Sequence, residues 1–334
     1  MAGEKFLLPP YNKQHLTADQ QIAKLKSNGL IIHNEEYAKK CLISYNYYRL
    51  SAYWHIYRKP DPSDPLRKLS DFIPDKTFEE VIKLYDFDEK LRGLIFSAIS
   101  DIETYMRTQI AYHLPKINND AFALYDTSLF YTTDMNRDLN YAEMIKKIKS
   151  EVRRASTEDF LNHYINKYQT YHDNNECKVP LWMLTEIISL GTLRTIFIHL
   201  RPQPKKIITA TFNIRQNGNP LPNNYLKIDK VDMDSYLYLL NRYRNICAHH
   251  GRLWNRKVKN VLTNNAANAF NLNGYEDGGL YPLLMVISRF LEPTGHANDW
   301  RNKVHALLTS GFPVGDICQF GALPVDWDKH YLWR

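Results

Sequence analysis

The chain has 334 residues, 44% apolar and 24% charged, ordinary globular proportions that exclude global disorder. Its 43 Lys and Arg against 36 Asp and Glu leave a formal charge of +7, which permits a polyanionic partner without requiring one. Cys41, Cys177, Cys247 and Cys318 are scattered without paired spacing, which argues against a disulfide framework or cysteine-built zinc site and fits a reducing cytoplasm.

In chain order, residues 1–10 hold too short an apolar stretch for a signal peptide. Thr17-Ala-Asp-Gln20 is a capping box opening a helix that ends near Asn28-Gly29. A second helix is expected over 35–44, and 45–58 continues it or starts another. Pro60, Pro62, Pro65 and Pro74 then punctuate a polar connector. Thr77-Phe-Glu-Glu80 is another capping box. After it, Leu84, Phe87, Leu91, Leu94, Ile95, Ala98, Ile99, Ile102, Met106 and Ile110 recur at helical spacing as far as Leu114-Pro115. This is the expected spine of the core.

Residues 116–140 read as irregular, 141–154 as a lysine-rich helix and 160–171 as another. Pro180-Leu-Trp-Met opens an apolar helix to about Leu200, ended by Arg201-Pro202-Gln-Pro204. Its most apolar part, 187–200, is interrupted by Gly191 and Arg194 and is too short to span a bilayer. Pro220 and Pro222 mark a loop, and 233–250 is a strong helix closed by Gly251. The Asn- and Gly-rich 264–279 is a loop; helices near 281–291 and 298–310 precede an aromatic tail. The expectation is an all-α fold: an N-terminal helical segment at 1–75, a helical core at 76–310, and a tail at 311–334 packing on that core.

The string Arg242-Tyr-Arg-Asn-Ile-Cys-Ala-His-His-Gly-Arg-Leu-Trp-Asn-Arg256 concentrates reactive groups. On a helix turning about 100° per residue, Tyr236, Leu239, Leu240, Tyr243, Ile246 and Cys247 share one face with His250. Asn245 and His249 lie one turn apart on the other side. His250 is therefore expected at the core edge and His249 toward a ligand. Arg244 sits well round the helix from His249, so either the helix loosens before Gly251 or a second copy of the chain completes the site. Chemically, an Arg, an amide and a His suit phosphodiester cleavage on RNA without a metal. The 2′-hydroxyl attacks, His moves protons and Arg stabilises charge at phosphorus. A polar helix end with Arg in ion pairs and His capping carbonyls is the alternative reading of the same residues.

Arg244-Asn-Ile-Cys-Ala-His249 resembles the Arg-x4-His motif of HEPN ribonucleases. The longer string around it resembles the bacterial abortive-infection AbiD/AbiF family. So do Ile43-Ser-Tyr-Asn-Tyr-Tyr-Arg-Leu-Ser-Ala-Tyr53, Tyr85-Asp-Phe-Asp-Glu-Lys-Leu-Arg92 with Glu103 and Arg107, and Pro180-Leu-Trp182 with Glu186 and Gly191. The tail, Gly311-Phe-Pro and Pro324-Val-Asp-Trp327, fits the same family order, although 314–323 separate its halves. The resemblance implies a HEPN-like helical bundle with an N-terminal helical extension, acting as a cytoplasmic homodimer. It further implies a phage-defence or toxin-type, metal-independent endoribonuclease with no cofactor, leaving 2′,3′-cyclic phosphate ends. Arg244, Asn245 and His249 would be catalytic, and a small structured non-coding RNA would bind and control the protein.

Glu103 and Arg107, one turn apart, are either a plain i,i+4 ion pair or a support that fixes Arg244 or His249 while Arg107 meets phosphate. His250 is a further possible support. Tyr47, Tyr48 and Arg49 suit stacking and phosphate contact with RNA, although an aromatic core helix accounts for them equally. Arg252, Asn255 and Arg256 either grip RNA beside the scissile phosphate or form a polar helix exit. Lys146, Lys147, Lys149, Arg153 and Arg154 make a basic helix face. Trp182 is expected in the core. The competing functional reading is a non-catalytic scaffold that holds a structured RNA with the same basic and aromatic surface.

Overall fold

The computed structural model describes residues 12–134, 139–168, 178–216, 218, 220–221, 227–259, 262, 270, 272, 278–309, 322–330 and 333. The chain divides into two compact units, 1–87 and 88–334. Helices dominate both, and none among the described residues is long and apolar enough to cross a membrane.

The first unit holds α1 (Ala18–Ser27), α2 (Glu35–Tyr45), α3 (Tyr47–Trp54) and the opening turns of α4 (Phe78–Asn118). Thr17 and Gln20 form the expected reciprocal cap at the start of α1. Asn46 separates α2 from α3 at φ +72°, and its side chain accepts a hydrogen bond from the Tyr48 N–H. Tyr85 packs against Tyr45 and Tyr53, with ring centroids 4.5 and 5.2 Å apart. The proline-rich connector contains an antiparallel hairpin, β1 (Arg58–Asp61) with β2 (Asp64–Phe72). Pro60 and Pro65 fall in a two-stranded ribbon in which both strands are edges, where a missing N–H costs least.

In the second unit α4 keeps the expected stripe buried from Leu91 to Leu114, with Leu94 half-buried. Pro115 does not end the helix, which runs on to Asn118. In the last turn a proline removes only one backbone bond, so the turn closes around it. The short pair β3 (Thr133–Asp134) and β4 (Leu139–Asn140) precedes α5 (Tyr141–Arg154) and α6 (Asp159–Lys167). The expected end of the latter helix, beyond 168, lies outside the described residues, as does most of 264–279.

The single apolar helix expected over 180–200 is two: α7 (Leu181–Ile187) and α8 (Leu190–His199). Ser189 breaks the run because its side chain caps α8 by accepting from the Thr192 N–H. Buried Glu151 of α5 then accepts from the Ser189 N–H at 3.0 Å and the Thr192 hydroxyl at 2.6 Å. α8 ends at His199, as expected before Arg201-Pro202, and the prolines also open the next helix: α9 (Pro202–Thr211) carries proline in its first turn, where an N–H has no helical partner anyway.

The site helix α10 (Met233–Ala248) packs with α8 and with α11 (Leu280–Phe290), which is buried at every position. Arg289 of α11, fully buried, donates to the Phe212 carbonyl at 2.8 Å and Asn213 Oδ1 at 2.7 Å. On α12 (Ala297–Thr309), Trp300 stacks with Trp333 at 6.3 Å and His305 tilts on buried Trp327 at 5.4 Å; residues 310–321, 331–332 and 334 lie outside the described residues.

Because Glu151 accepts from the Ser189 N–H beside the Ser189 cap, Glu151→Ala should cost about 1–3 kcal/mol by leaving that N–H unpaired and the Thr192 hydroxyl with Ser189 Oγ as its remaining neighbour. Urea denaturation should show a lower midpoint with an unchanged slope.

Candidate functional site

Helix α10 buries Met233, Tyr236, Leu237, Leu239, Leu240, Tyr243 and Cys247, the stripe that its period requires, with Ile246 half-buried. Its end is a Schellman turn. The Gly251 N–H bonds the Ile246 carbonyl at 2.8 Å and the His250 N–H bonds the Cys247 carbonyl at 3.0 Å. The left-handed position of that turn is His250, at φ +52°, not a glycine. Gly251 serves another need: a Cβ there would lie 3.2 Å from both Ile246 Cγ2 and its carbonyl oxygen.

This overturns the placement of His250 at the core edge. His250 is exposed, because a helical period carried past Ala248 no longer describes a backbone that reverses at the next residues. His249, the C-cap residue, is exposed as expected, and among the described residues no hydrogen bond reaches its ring. Asn245 is likewise exposed, with its carbonyl accepting the His249 N–H at 3.1 Å.

Beyond the turn, the loop is held by Asp88 of α4, which has no exposed surface. Its carboxylate accepts from the Leu253 N–H at 3.1 Å, the Trp254 N–H at 2.7 Å and Arg92 Nη1 at 2.6 Å. Leu253 and Trp254 are buried in consequence. The Tyr243 hydroxyl lies 2.7 Å from the Arg256 carbonyl and 2.8 Å from that of Gly278, and burial pushes its pKa up. Burial also raises the Cys247 thiol to about 12, with the Asp88 charge adding and Arg92 opposing. Cys247 therefore packs as a small apolar group rather than acting as a nucleophile.

Arg244 points elsewhere. Its Nε lies 3.8 Å from Glu103 Oε2, and its guanidinium sits 5.9 Å from the centre of the Phe96 ring. Glu103 is buried, and its other oxygen accepts from Arg107, which also donates to the Thr185 carbonyl. Glu103 thus makes the i,i+4 pair and also faces Arg244, so the two readings of it coexist. Arg107 is held by two acceptors. Arg244 borders a cavity of about 290 Å3 with Phe96, Ser100, Glu103 and Glu186, and a shallower one of about 520 Å3 reaching Arg154 and Glu158. Both mix cations with carboxylates.

The structure brings Arg244, Glu103 and Arg107 together; no hydrogen bond joins Arg244, Asn245 and His249 side chains among the described residues. Arg252 and Asn255 are half-buried, the latter with an Oδ1 that has no partner among the described residues, and Arg256 is exposed. In the first unit, Tyr48 is 85% exposed and Arg49 half-buried. Tyr47 packs edge-on against Trp54 at 4.9 Å, and burial raises its pKa against the pull of Arg58. Trp182 is half-exposed rather than in the core, because α7 is short and turns that face outward. Sequence reasoning overlooked Asp88, Arg92, Phe96 and the cavity role of Glu186. A charged pair at i,i+4 on the apolar side of α4 was the available signal for the first two.

A family model described as Abi-like protein matches residues 40–255. No curated protein and no solved structure matches the chain.

Two expectations follow from the turn and its anchor. Asp88→Ala should cost about 3–5 kcal/mol, since it strands buried Arg92 as well as two loop N–H groups. His250→Gly should raise stability by about 0.5–1 kcal/mol by relieving the left-handed backbone. Paired urea melts of both variants test the assignments.

Proposed function

The chain belongs to the Abi-like protein family, which ties it to abortive infection and phage defence, and from that premise we propose that it is a metal-independent endoribonuclease. The observation that carries the reading is the placement of Arg244. It leans on buried Glu103 at the mouth of a polar cavity, while His249, at the end of the same helix, is exposed and has no hydrogen bond to its ring among the described residues.

In this reading the ribose 2′-oxygen attacks the adjacent phosphorus as the bond to the 5′-oxygen breaks. His249 takes the 2′-hydroxyl proton, while water supplies a proton to the leaving 5′-oxygen and is restored by the proton that His249 then releases. The products are a 2′,3′-cyclic phosphate and a 5′-hydroxyl. The forked guanidinium of Arg244 stabilises the charge that builds on the phosphoryl oxygens. Asn245 binds a phosphate oxygen or orients His249. Glu103 keeps the Arg244 stem from collapsing into the cavity, with Arg107 held as its second cation. Since Arg244 pairs with Glu103 and no hydrogen bond joins it to His249 among the described residues, a homodimer in which each copy completes the other's site is part of the proposal. A small structured RNA that restrains the enzyme is the remaining part, with Tyr47, Tyr48, Arg49, Arg252, Asn255 and Arg256 as its candidate contacts. The HEPN type of nuclease is the class this arrangement resembles.

A non-catalytic RNA scaffold is the second reading, favoured by the exposed basic face of α5 formed by Lys146, Lys147, Arg153 and Arg154.

Purified protein should cut single-stranded RNA in EDTA and leave cyclic phosphate ends. Arg244→Ala and His249→Ala should each lower the rate on the order of 100-fold or more, with unchanged melting temperature. Strict dependence on a divalent metal, or full activity in both variants, would defeat the nuclease reading. An inactive His250→Ala beside an active His249→Ala would move the proton-transfer role to His250.

A further inference from the structure

Away from Arg244, a separate cavity of about 460 Å3 opens where α8 ends and α9 and α10 begin. That volume lies in the range of small-molecule sites. Arg194, Lys205 and Lys230 face it against a single carboxylate, Asp234, which leaves an excess of two positive charges. Ile198, Leu200 and Val231 supply an aliphatic wall and half-buried Tyr131 an aromatic one.

The cations are not all used by the fold. Lys230 is half-buried, and among the described residues no acceptor reaches its ammonium group. Arg194 holds its Nε 2.7 Å from Asp234 Oδ1 and lies over the Tyr238 ring at 5.0 Å, while no hydrogen bond takes up its two terminal nitrogens among the described residues. A partly desolvated ammonium without an acceptor, such as that of Lys230, is unfavourable until an anion arrives, and Arg194 keeps two donors to offer the same anion. An anion alone would leave the aliphatic and aromatic walls wet, and an apolar ligand would leave the cations unmet. A flat apolar ring joined to a phosphate satisfies both demands.

We propose that this cavity is a nucleotide-binding site, with the phosphate on Arg194 and Lys230 and the base against Tyr131 and the aliphatic wall. It is distinct from the Arg244 group and requires no cleavage. The nucleotide is either free or the end residue of an RNA.

Calorimetric titration of the full-length chain with adenosine 5′-monophosphate tests the site. Binding should be measurable, and Lys230→Glu and the milder Lys230→Gln should weaken it by roughly tenfold or more, as loss of a charge-assisted hydrogen bond predicts. Tyr131→Leu should weaken the mononucleotide but not inorganic phosphate. Competition by a 5′-phosphorylated, 2′-O-methylated RNA dodecamer would make the source an RNA end; binding of the mononucleotide without such competition would make it a free nucleotide. Absence of mononucleotide binding, affinity unchanged in both Lys230 variants, or equal affinity for inorganic phosphate would each overturn the proposal. No variant touches Arg244 or His249 and binding is read without cleavage, so this site and the nuclease reading stand or fall separately.

Discussion

A single buried carboxylate orders the region that matters most in this protein. Asp88 gathers Arg92 and two backbone N–H groups from the loop after α10, and so ties a chain reversal to the long helix α4. Without an acceptor those N–H groups would be buried with Leu253 and Trp254 and left unpaired, at a cost the interior does not tolerate. With it, the apolar side chains of the loop close over the end of α10. The same arrangement keeps Cys247 dry. An ion pair in such a position adds less to net stability than its geometry suggests, because both charges give up water; what it secures is the path of the chain.

Reading the fold from the sequence worked where one physical signal dominated. The stripe of α4 and the stripe of α10 follow a period that only a helix buried on one side produces, and both are buried as expected. The signal failed where proline was its carrier. Prolines at 60 and 65 mark turns in isolation, yet a two-stranded ribbon accepts them because its outer groups meet solvent. Pro202 and Pro204 do follow the end of α8 at His199, and they also begin α9, since proline bars continuation from the N-terminal side and is harmless at a start. The break between α7 and α8 carries a local signal, the Ser189 cap, inside an otherwise apolar run; its second partner, Glu151, is far away in sequence and lies outside any local pattern.

The same division holds at the candidate site. Spacing places Glu103 and Arg107 as an i,i+4 pair on one helix, and they do pair; the approach of Glu103 to Arg244 on another helix is implied only by the family resemblance, and the two side chains do converge. Phe96 and Glu186 complete the cavity wall from other turns and other helices, which is information only tertiary packing holds. His250 shows the limit of helical geometry: the wheel stays valid to Ala248 and means nothing beyond the reversal.

That reversal bears on how the two adjacent histidines are related. One follows the last helical turn with φ −94° and the other sits where the backbone has changed hand, at φ +52°, so the two stand on different backbone conformations. A repeated residue in a sequence invites the idea of a spare. Here the pair need not be redundant: only one of the two positions carries a left-handed backbone, so a substitution that relaxes His250 has no counterpart at His249. Natural variation should therefore treat the two positions as independent characters, each answering to a different constraint.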